Sequence, residues 1–230
     1  MPEEASERPP RHTPGLEREK VVKSALELLN EVGFEGLTLR RLASKLGVKA
    51  SALYWHFENK QDLIDQLATA IIEDEIAQAG PRVFGDDTVW QDMLRGMGHG
   101  MRRALSRYRD GALIIAKADM TNSKSFQGRD LMIDSIMKQG LTGKQAMMAL
   151  FTVGRYTLGC VFEEQADPRS AHYTEEASIE RRRKALEAYP AMSKAFNDFA
   201  PDEIRNPDYH FNQGLELIIA GIEKQLTVSK

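Results

Sequence analysis

The side chains best suited to chemistry concentrate in residues 38–60, which read TLRRLASKLGVKASALYWHFENK. Five lysines and arginines stand against one glutamate there, so this segment carries a net charge of +4 and the rest of the chain −7. Clustered Lys and Arg attract the phosphates of a nucleic acid. A basic segment on an acidic remainder is therefore the charge layout of a small DNA-binding module joined to a larger body.

The same segment has the spacing of a helix-turn-helix. Apolar residues recur at helical intervals, and Ala43 is small enough for two helices to cross closely. Gly47 tolerates the positive φ that a tight turn can require. The pattern predicts a short helix over 39–46 and a second, recognition helix over 50–56.

The recognition helix is expected to enter the major groove with its first residues at the base edges. The small side chains of Ala50, Ser51 and Ala52 limit direct readout, so Arg40 and Lys49 are expected to make the sharper contacts. The predicted DNA-binding residues are Thr38, Arg40, Lys49, Ala50, Ser51, Ala52, Tyr54, Trp55, His56 and Lys60.

The aromatic residues after the recognition helix have two interpretations. Tyr54, His56 and Lys60 can hydrogen-bond phosphates, which fixes the register of a protein on DNA without specifying sequence. Alternatively, Tyr54, Trp55 and Phe57 form the core of a three-helix head.

Prolines divide the chain and predict an all-α fold. Four of the nine lie within 1–14, which we predict to be a disordered tail, and long proline-free blocks follow. We expect a DNA-binding domain over 15–62 and a larger helical ligand-binding and dimerisation domain over 63–230. Residues 167–208 are polar and proline-broken, which fits either a mobile lid or a disordered linker. The other predicted helices cover 17–32, 60–79, 89–107, 109–120 and 143–166. Gly33 is the predicted stop of the first of these, and the capping pairs Asn59–Asp62, Thr88–Gln91 and Thr142–Gln145 mark the predicted starts of three others.

Composition excludes several classes of protein. The single cysteine, Cys160, can form neither an internal disulfide nor a cysteine-based zinc site. The first residues lack the apolar core of a signal peptide, and no run approaches the ~18 apolar residues of a membrane span, so a cytoplasmic protein is expected. One alternative is a helical enzyme that uses Cys160 with a histidine, although its LGCVF surroundings are apolar. Another is a dimeric small-molecule binding protein without specific DNA recognition.

Residues 25–68, ALELLNEVGFEGLTLRRLASKLGVKASALYWHFENKQDLIDQLA, resemble the DNA-binding domain of the tetracycline repressor (TetR) family, and the LYWH quartet at 53–56 resembles its tetracycline-repressor branch. Four further blocks resemble the regulatory domain of that branch: WQDMLR (90–95), YRDGA (108–112), TLGCVFEEQ (157–165) and GLELIIAGIEKQL (214–226). The resemblance implies a homodimeric repressor that binds a palindromic operator and is released by a small molecule.

The resemblance also implies a magnesium ion held by an imidazole, with a threonine and a glutamate assisting through water. Matching the YRDGA block puts Ile115 and Ala118 at the first two positions and leaves only Glu163. An aliphatic side chain cannot ligate magnesium, so neither a metal site nor a cofactor is expected. The predicted effector-binding residues are Ile76, Met97, Met101, Ile115, Ala118, Met132 and Glu163.

Those positions are mostly apolar, and eight of the ten methionines lie between residues 93 and 148. Methionine is flexible and polarisable, so this composition favours a planar or multi-ring apolar effector, such as a polyketide or antibiotic-like compound. Glu163, Arg155 or His99 could supply polar contacts. Ordinary core filling is the alternative explanation of the methionines.

The helix over 144–164 and the last helix are apolar nearly all round, which suggests that each is covered on two sides. Together with their symmetry mates they are expected to form a four-helix bundle. In a DNA-bound dimer the recognition helices lie roughly 34–36 Å apart, and we expect the effector to change that spacing through the helix at 60–79. The predicted dimer interface comprises Gly154, Thr157, Leu158, Val161, Leu215, Ile218, Ile219 and Ile222.

Overall fold

The computed structural model describes residues 17–79, 88–119, 121, 123–166 and 176–228, with side chains left out at 79, 123–125 and 226–228. The predicted tail at 1–14 lies outside the described residues. Those that are described form helices and contain no strand, which confirms the all-α prediction. The helices are α1 Arg18–Gly36, α2 Leu39–Lys45, α3 Ala50–Leu53, α4 Lys60–Ala79, α5 Trp90–Ser106, α6 Gly111–Lys117, α7 Ser123–Lys138, α8 Gly143–Ala166, α9 Glu176–Leu186, α10 Pro190–Asn197, α11 Pro201–Ile204 and α12 Pro207–Val228.

The head consists of α1, α2, α3 and the start of α4. The predicted stop at Gly33 appears as a break within α1, where this residue has φ +71°. Thr38 caps α2, because its hydroxyl accepts a hydrogen bond from the Arg41 backbone N–H at 3.2 Å. Gly47 has φ +66°, as the predicted turn requires.

The recognition helix is shorter than predicted and ends at Leu53. The backbone N–H groups of His56 and Phe57 both donate to the Leu53 carbonyl at 2.9 Å, which closes the helix with a turn. This turn directs Phe57 into the core at 1% exposure and leaves Trp55 88% exposed. The core alternative is therefore confirmed for Phe57 and wrong for Trp55 and for Tyr54, which is 59% exposed.

The body is built around α5 and α8, with α4, α6, α7 and α12 packed on them. Two glycines allow close approach along α5. A Cβ at Gly98 would lie 3.1 Å from Leu215 Cδ2 of α12 and 3.4 Å from Val153 Cγ1 of α8. A Cβ at Gly100 would lie 3.5 Å from a carboxylate oxygen of Glu75 on α4. A Cβ at Gly98 would therefore force Leu215 to shift, whereas one at Gly100 would make an ordinary van der Waals contact with Glu75.

Of the three predicted capping pairs, Thr88–Gln91 does not form, although the helix that it was expected to open begins at Trp90. Thr142 and Gln145 form the expected reciprocal pair before α8. Gln91 does not cap α5. Instead, the Gln139 side chain from the end of α7 accepts a hydrogen bond from the Trp90 N–H at 2.7 Å and donates to the Thr88 carbonyl at 3.0 Å. A cap supplied by a distant helix leaves no local signal in the sequence.

The polar stretch before the last helix is more ordered than a linker. Residues 167–175 lie outside the described part, but α9, α10 and α11 occupy most of 176–204. An ion pair between Arg205 and Glu176 joins the two ends of this segment. The linker alternative is therefore wrong for the described portion. None of the helices in the described part of the chain combines the length and apolar character that crossing a bilayer requires.

Truncation of Phe57 and of Trp55 should have very different effects on the free energy of unfolding. Phe57→Ala removes a fully buried ring and should lower the free energy of unfolding by about 3–5 kcal/mol. Trp55→Ala removes an exposed ring and should change it by less than about 0.5 kcal/mol. Urea denaturation of both variants measures the difference, and equal losses would contradict the turn described at Leu53.

Candidate DNA-binding surface and effector domain

The predicted DNA contacts stay at the surface of the head. Arg40, Lys49, Ser51 and Lys60 are exposed, together with Tyr54 and Trp55, while Ala50, Ala52 and His56 are half-buried. Thr38 is exposed but its hydroxyl is used by the cap of α2. Each predicted DNA-binding residue is therefore at least partly accessible to a DNA duplex.

Not all of the basic charge of the head is free for DNA. Lys45 pairs with Glu31 at 2.7 Å and with Glu27 at 3.6 Å, and the hydrogen bond that it donates to Glu31 raises its pKa. The Arg41 guanidinium donates to the Gly36 carbonyl at 3.2 Å. Within the described ranges Arg40 and Lys49 have no such partner, which singles them out as the cations best placed to bind DNA.

The head is fastened to the body at the turn between α5 and α6. The Asp110 carboxylate accepts a hydrogen bond from the Phe34 N–H at 2.7 Å, and the Asn30 side chain accepts one from the Arg109 N–H at 2.8 Å. Asp110 has φ +57°, a conformation that Asp tolerates better than most residues. At Gly111 a Cβ would lie 2.3 Å from the Leu105 carbonyl oxygen, so this turn requires glycine.

The end of α8 holds the same turn from the other side. The Gln165 side chain donates to the carbonyls of Leu105 and Tyr108, both at 2.9 Å, and accepts from the Ala112 N–H at 3.0 Å. Sequence reasoning missed these residues as a junction. The Asp-Gly pair within YRDGA is the available signal for the turn, but nothing local shows that α8 reaches it.

Helix α4 is tied to the body at both ends. Near its start, Gln61 donates to the Lys117 carbonyl of α6 at 2.8 Å. Near its end, the buried Glu75 accepts hydrogen bonds from Arg103 at 2.6 Å and from Arg107 at 3.3 Å. These hydrogen bonds satisfy the buried carboxylate, so they hold the end of α4 against the end of α5.

The predicted effector-binding residues are divided between two apolar clusters. Met101, Ile115 and Ala118 pack against the cluster that runs from the head through α4 and α6, which we call the head cluster. The second, or body, cluster joins α5, α7, α8 and α12; it contains Met132 and is contacted by Met97. Ile76 and Glu163 are exposed and belong to neither cluster.

The polar contacts suggested for the effector have other partners in this chain. The Arg155 guanidinium lies over the ring of Phe151, 5.2 Å from its centroid. The His99 ring meets the Phe211 ring edge to face at 5.5 Å, and burial lowers its pKa.

Four residues of the predicted dimer interface are corrected by their burial within the single chain. Thr157 and Val161 have no exposed surface, and Leu215 and Ile219 are 1% and 2% exposed. They pack inside the body and have nothing to present to a second copy. The other four predicted residues, Gly154, Leu158, Ile218 and Ile222, are half-buried and remain predictions.

Cys160 does not have the environment of a catalytic thiol. It is half-buried on α8, and burial raises its pKa, which disfavours the nucleophilic thiolate. No group of three or more His, Cys, Asp or Glu side chains in the described residues is arranged to hold a metal ion.

A basic helix-turn-helix head fastened to a helical body defines a DNA-binding regulator of transcription. Residues 21–67 match the model of bacterial regulatory proteins of the tetR family, and residues 84–226 match the tetracyclin repressor-like C-terminal domain. The chain belongs to the TetR family and is a transcriptional repressor of its tetracycline-repressor-like branch. Members of this family are regulators that bind operator DNA and small-molecule effectors, and they are not enzymes.

Similar proteins match nearly end to end. The tetracycline repressor protein class C of Escherichia coli is 39% identical, over 91% of each chain. A possible TetR family transcriptional regulator of Streptomyces coelicolor A3(2) is 30% identical with a TM-score of 0.73, covering 90% of this chain and 99% of its own. A TetR variant of Acinetobacter baumannii AYE, solved in complex with minocycline, is 33% identical with a TM-score of 0.69, covering 92% and 98%.

The unpaired arginine of the head gives a direct test of the DNA surface. Arg40→Ala should weaken binding to the specific operator by about 1–3 kcal/mol and relax base preference at one position. Lys45→Ala is the matched control, because that lysine is already paired with glutamates of α1. Fluorescence anisotropy on operator and random duplexes distinguishes the two roles: equal losses on both duplexes would make Arg40 a phosphate contact instead.

Proposed function

We propose that this chain represses transcription as a homodimer on a palindromic operator, and that a small, largely apolar molecule other than magnesium-tetracycline releases it. As a DNA-binding regulator it acts in the cytoplasm. The observation that carries the proposal is the junction between head and body. Because the head is bonded to the α5–α6 turn and to α6 itself, a ligand that displaces these helices must also displace the head.

The coupling follows the contacts around α4. Gln61 links the start of α4 to the end of α6, while Glu75 holds the end of α4 to α5. A ligand inserted among α5, α6 and α8 would move α6 relative to α5 and so tilt α4. The tilt changes the spacing of the two heads, and operator binding weakens by the difference in ligand affinity between the two arrangements, typically ~1–3 kcal/mol.

The side chains present do not fit magnesium. A TetR of class A is known in complex with 5a,6-anhydrotetracycline and magnesium, and the family resemblance places metal-binding groups at two positions of α6 and its C-cap. Here those positions are Ile115 and Ala118, whose hydrocarbon side chains offer no donor atom to a hard cation. The ligand is therefore held by apolar contact and hydrogen bonds alone.

The two apolar clusters meet where such a ligand would bind. Met97 contacts the body cluster and Met101 contacts the head cluster, and both are half-buried on α5. Unbranched side chains can change rotamer to admit a flat molecule at lower cost than branched ones. A multi-ring apolar compound bound between the two clusters would move α6 away from the body cluster.

An apolar stripe along α8 is the surface we assign to the second copy. Met148, Phe151 and Phe162 are 43–50% exposed and lie on the outer face of this helix. Gly159 lies between the phenylalanines, and a Cβ there would meet nothing within 4 Å, which leaves room for a helix of the partner. On α12, Leu217 is 75% exposed and adds a second outer apolar position. Paired α8 and α12 helices then form the four-helix bundle.

A charge introduced into the apolar stripe of α8 should separate the dimer into monomers. Phe151→Glu places a charge in the proposed interface and should give a monomer with at least tenfold weaker operator binding, since two half-sites are no longer read together. Phe126→Glu on α7 is the control, because this phenylalanine is similarly exposed at 51% but lies off the stripe. Sedimentation velocity measures the oligomeric state, and a monomeric wild type would overturn the dimer.

The regulatory proposal is tested with DNA first. Footprinting of wild-type protein on the DNA flanking its own gene should reveal a palindromic site whose half-sites are about one helical turn apart. Tetracycline with magnesium should leave that footprint unchanged, whereas an apolar multi-ring effector should remove it. Binding to every duplex with equal affinity would instead favour a small-molecule binding protein without specific DNA recognition.

A further inference from the structure

Thr157 of the body has a buried hydroxyl that its surroundings leave unsatisfied. It has no exposed surface, and its hydroxyl makes no hydrogen bond within the described part of the chain. Other threonines in helices bond back to the carbonyl four residues earlier: Thr69 donates to Asp65 at 2.9 Å and Thr152 donates to Met148 at 2.7 Å. A buried hydroxyl without a partner is destabilising. A hydrogen bond to a bound ligand would explain why the core contains one.

The position of this hydroxyl favours a ligand. Thr157 shares the inner face of α8 with Val153, which touches α5 and belongs to the body cluster, and with Val161, which belongs to the head cluster. The side chain therefore lies at the boundary between the two clusters, at the level of α5 where the half-buried methionines lie.

The immediate surroundings can open. One turn before Thr157 on α8 stands Gly154, where a Cβ would lie 3.8 Å from Met97 Cε. A glycine and a flexible methionine next to a buried hydroxyl form a site that a rotamer change enlarges without breaking a hydrogen bond. No charged group is needed to fill such a site, so a neutral ligand suits it.

We propose that Thr157 is the hydrogen-bonding anchor of the effector site, and that the effector is a neutral multi-ring compound with a carbonyl or hydroxyl group at its buried edge. This inference rests on the proposed function and names the ligand group that function leaves open. The ligand oxygen completes the hydroxyl's hydrogen bond, and the rings occupy the boundary between the clusters.

The first test needs no ligand. Thr157→Val keeps the shape of the side chain but removes the unpaired hydroxyl, so the melting temperature should rise by about 2–4 °C. Thr69→Val is the matched control: it removes a hydroxyl that is already bonded, and its melting temperature should fall. A lower melting temperature for Thr157→Val would show that the hydroxyl is satisfied in the free protein, and would overturn the proposal.

The second test uses the pair fluorenone and fluorene, three-ring compounds that differ by one carbonyl. Calorimetry should show the wild type binding fluorenone about 2- to 10-fold more tightly than fluorene, as one net hydrogen bond provides. Thr157→Val should bind the two compounds within a factor of two, whereas Thr69→Val should keep the preference. Equal binding by the wild type, a preference that survives in Thr157→Val, or no binding of either compound would overturn the anchor.

Different results would refute the Thr157 contact and the regulatory function. Loss of the fluorenone preference concerns only the ligand contact, and it leaves operator binding by the dimer intact. A wild-type protein that binds no specific operator would refute the regulatory function, even where Thr157 still distinguishes fluorenone from fluorene.

Discussion

The attachment of α8 to the α5–α6 turn is the constraint on which the rest of this molecule depends. One amide side chain, Gln165, uses both its donor and its acceptor capacity on backbone groups of that turn. These bonds lie in a partly buried site, where competition from water is weaker than at the surface. The turn then presents Asp110 and the backbone of Arg109 to the head. The orientation of the head is thus set by two consecutive sets of contacts, from α8 to the turn and from the turn to the head, rather than by the connecting helix alone.

The general architecture follows from local sequence patterns. Gly47 identified the turn of the head, and its positive φ is what only a residue without a side chain adopts freely. Helices α4 and α8 were predicted with their observed bounds, because the pairs Asn59–Asp62 and Thr142–Gln145 are local in the chain. Signals of this kind involve residues three or four apart, so they can be recognised in the sequence without knowledge of the tertiary structure.

Features set by distant contacts could not be predicted in the same way. The cap of α5 comes from Gln139, some fifty residues away. The inner and outer faces of α8 are both apolar, so hydrophobic periodicity could not decide which would be covered by the chain itself and which would be left outside. This is why the sequence pattern predicts Thr157 and Val161 in the dimer interface, although both are buried within the chain. The exposure of Trp55 likewise depends on a short turn after Leu53 that aromatic composition does not reveal.

Three glycines in the middle of α5 lower the stability of this helix. Gly96, Gly98 and Gly100 occupy alternate positions in the middle of the helix. Each costs roughly 1 kcal/mol of helix propensity relative to alanine. A peptide of this sequence alone would therefore form little helix in water. The helical state of α5 therefore depends on its packing against α8, α12 and α4. If those three helices separated, the central part of α5 would be prone to unwind.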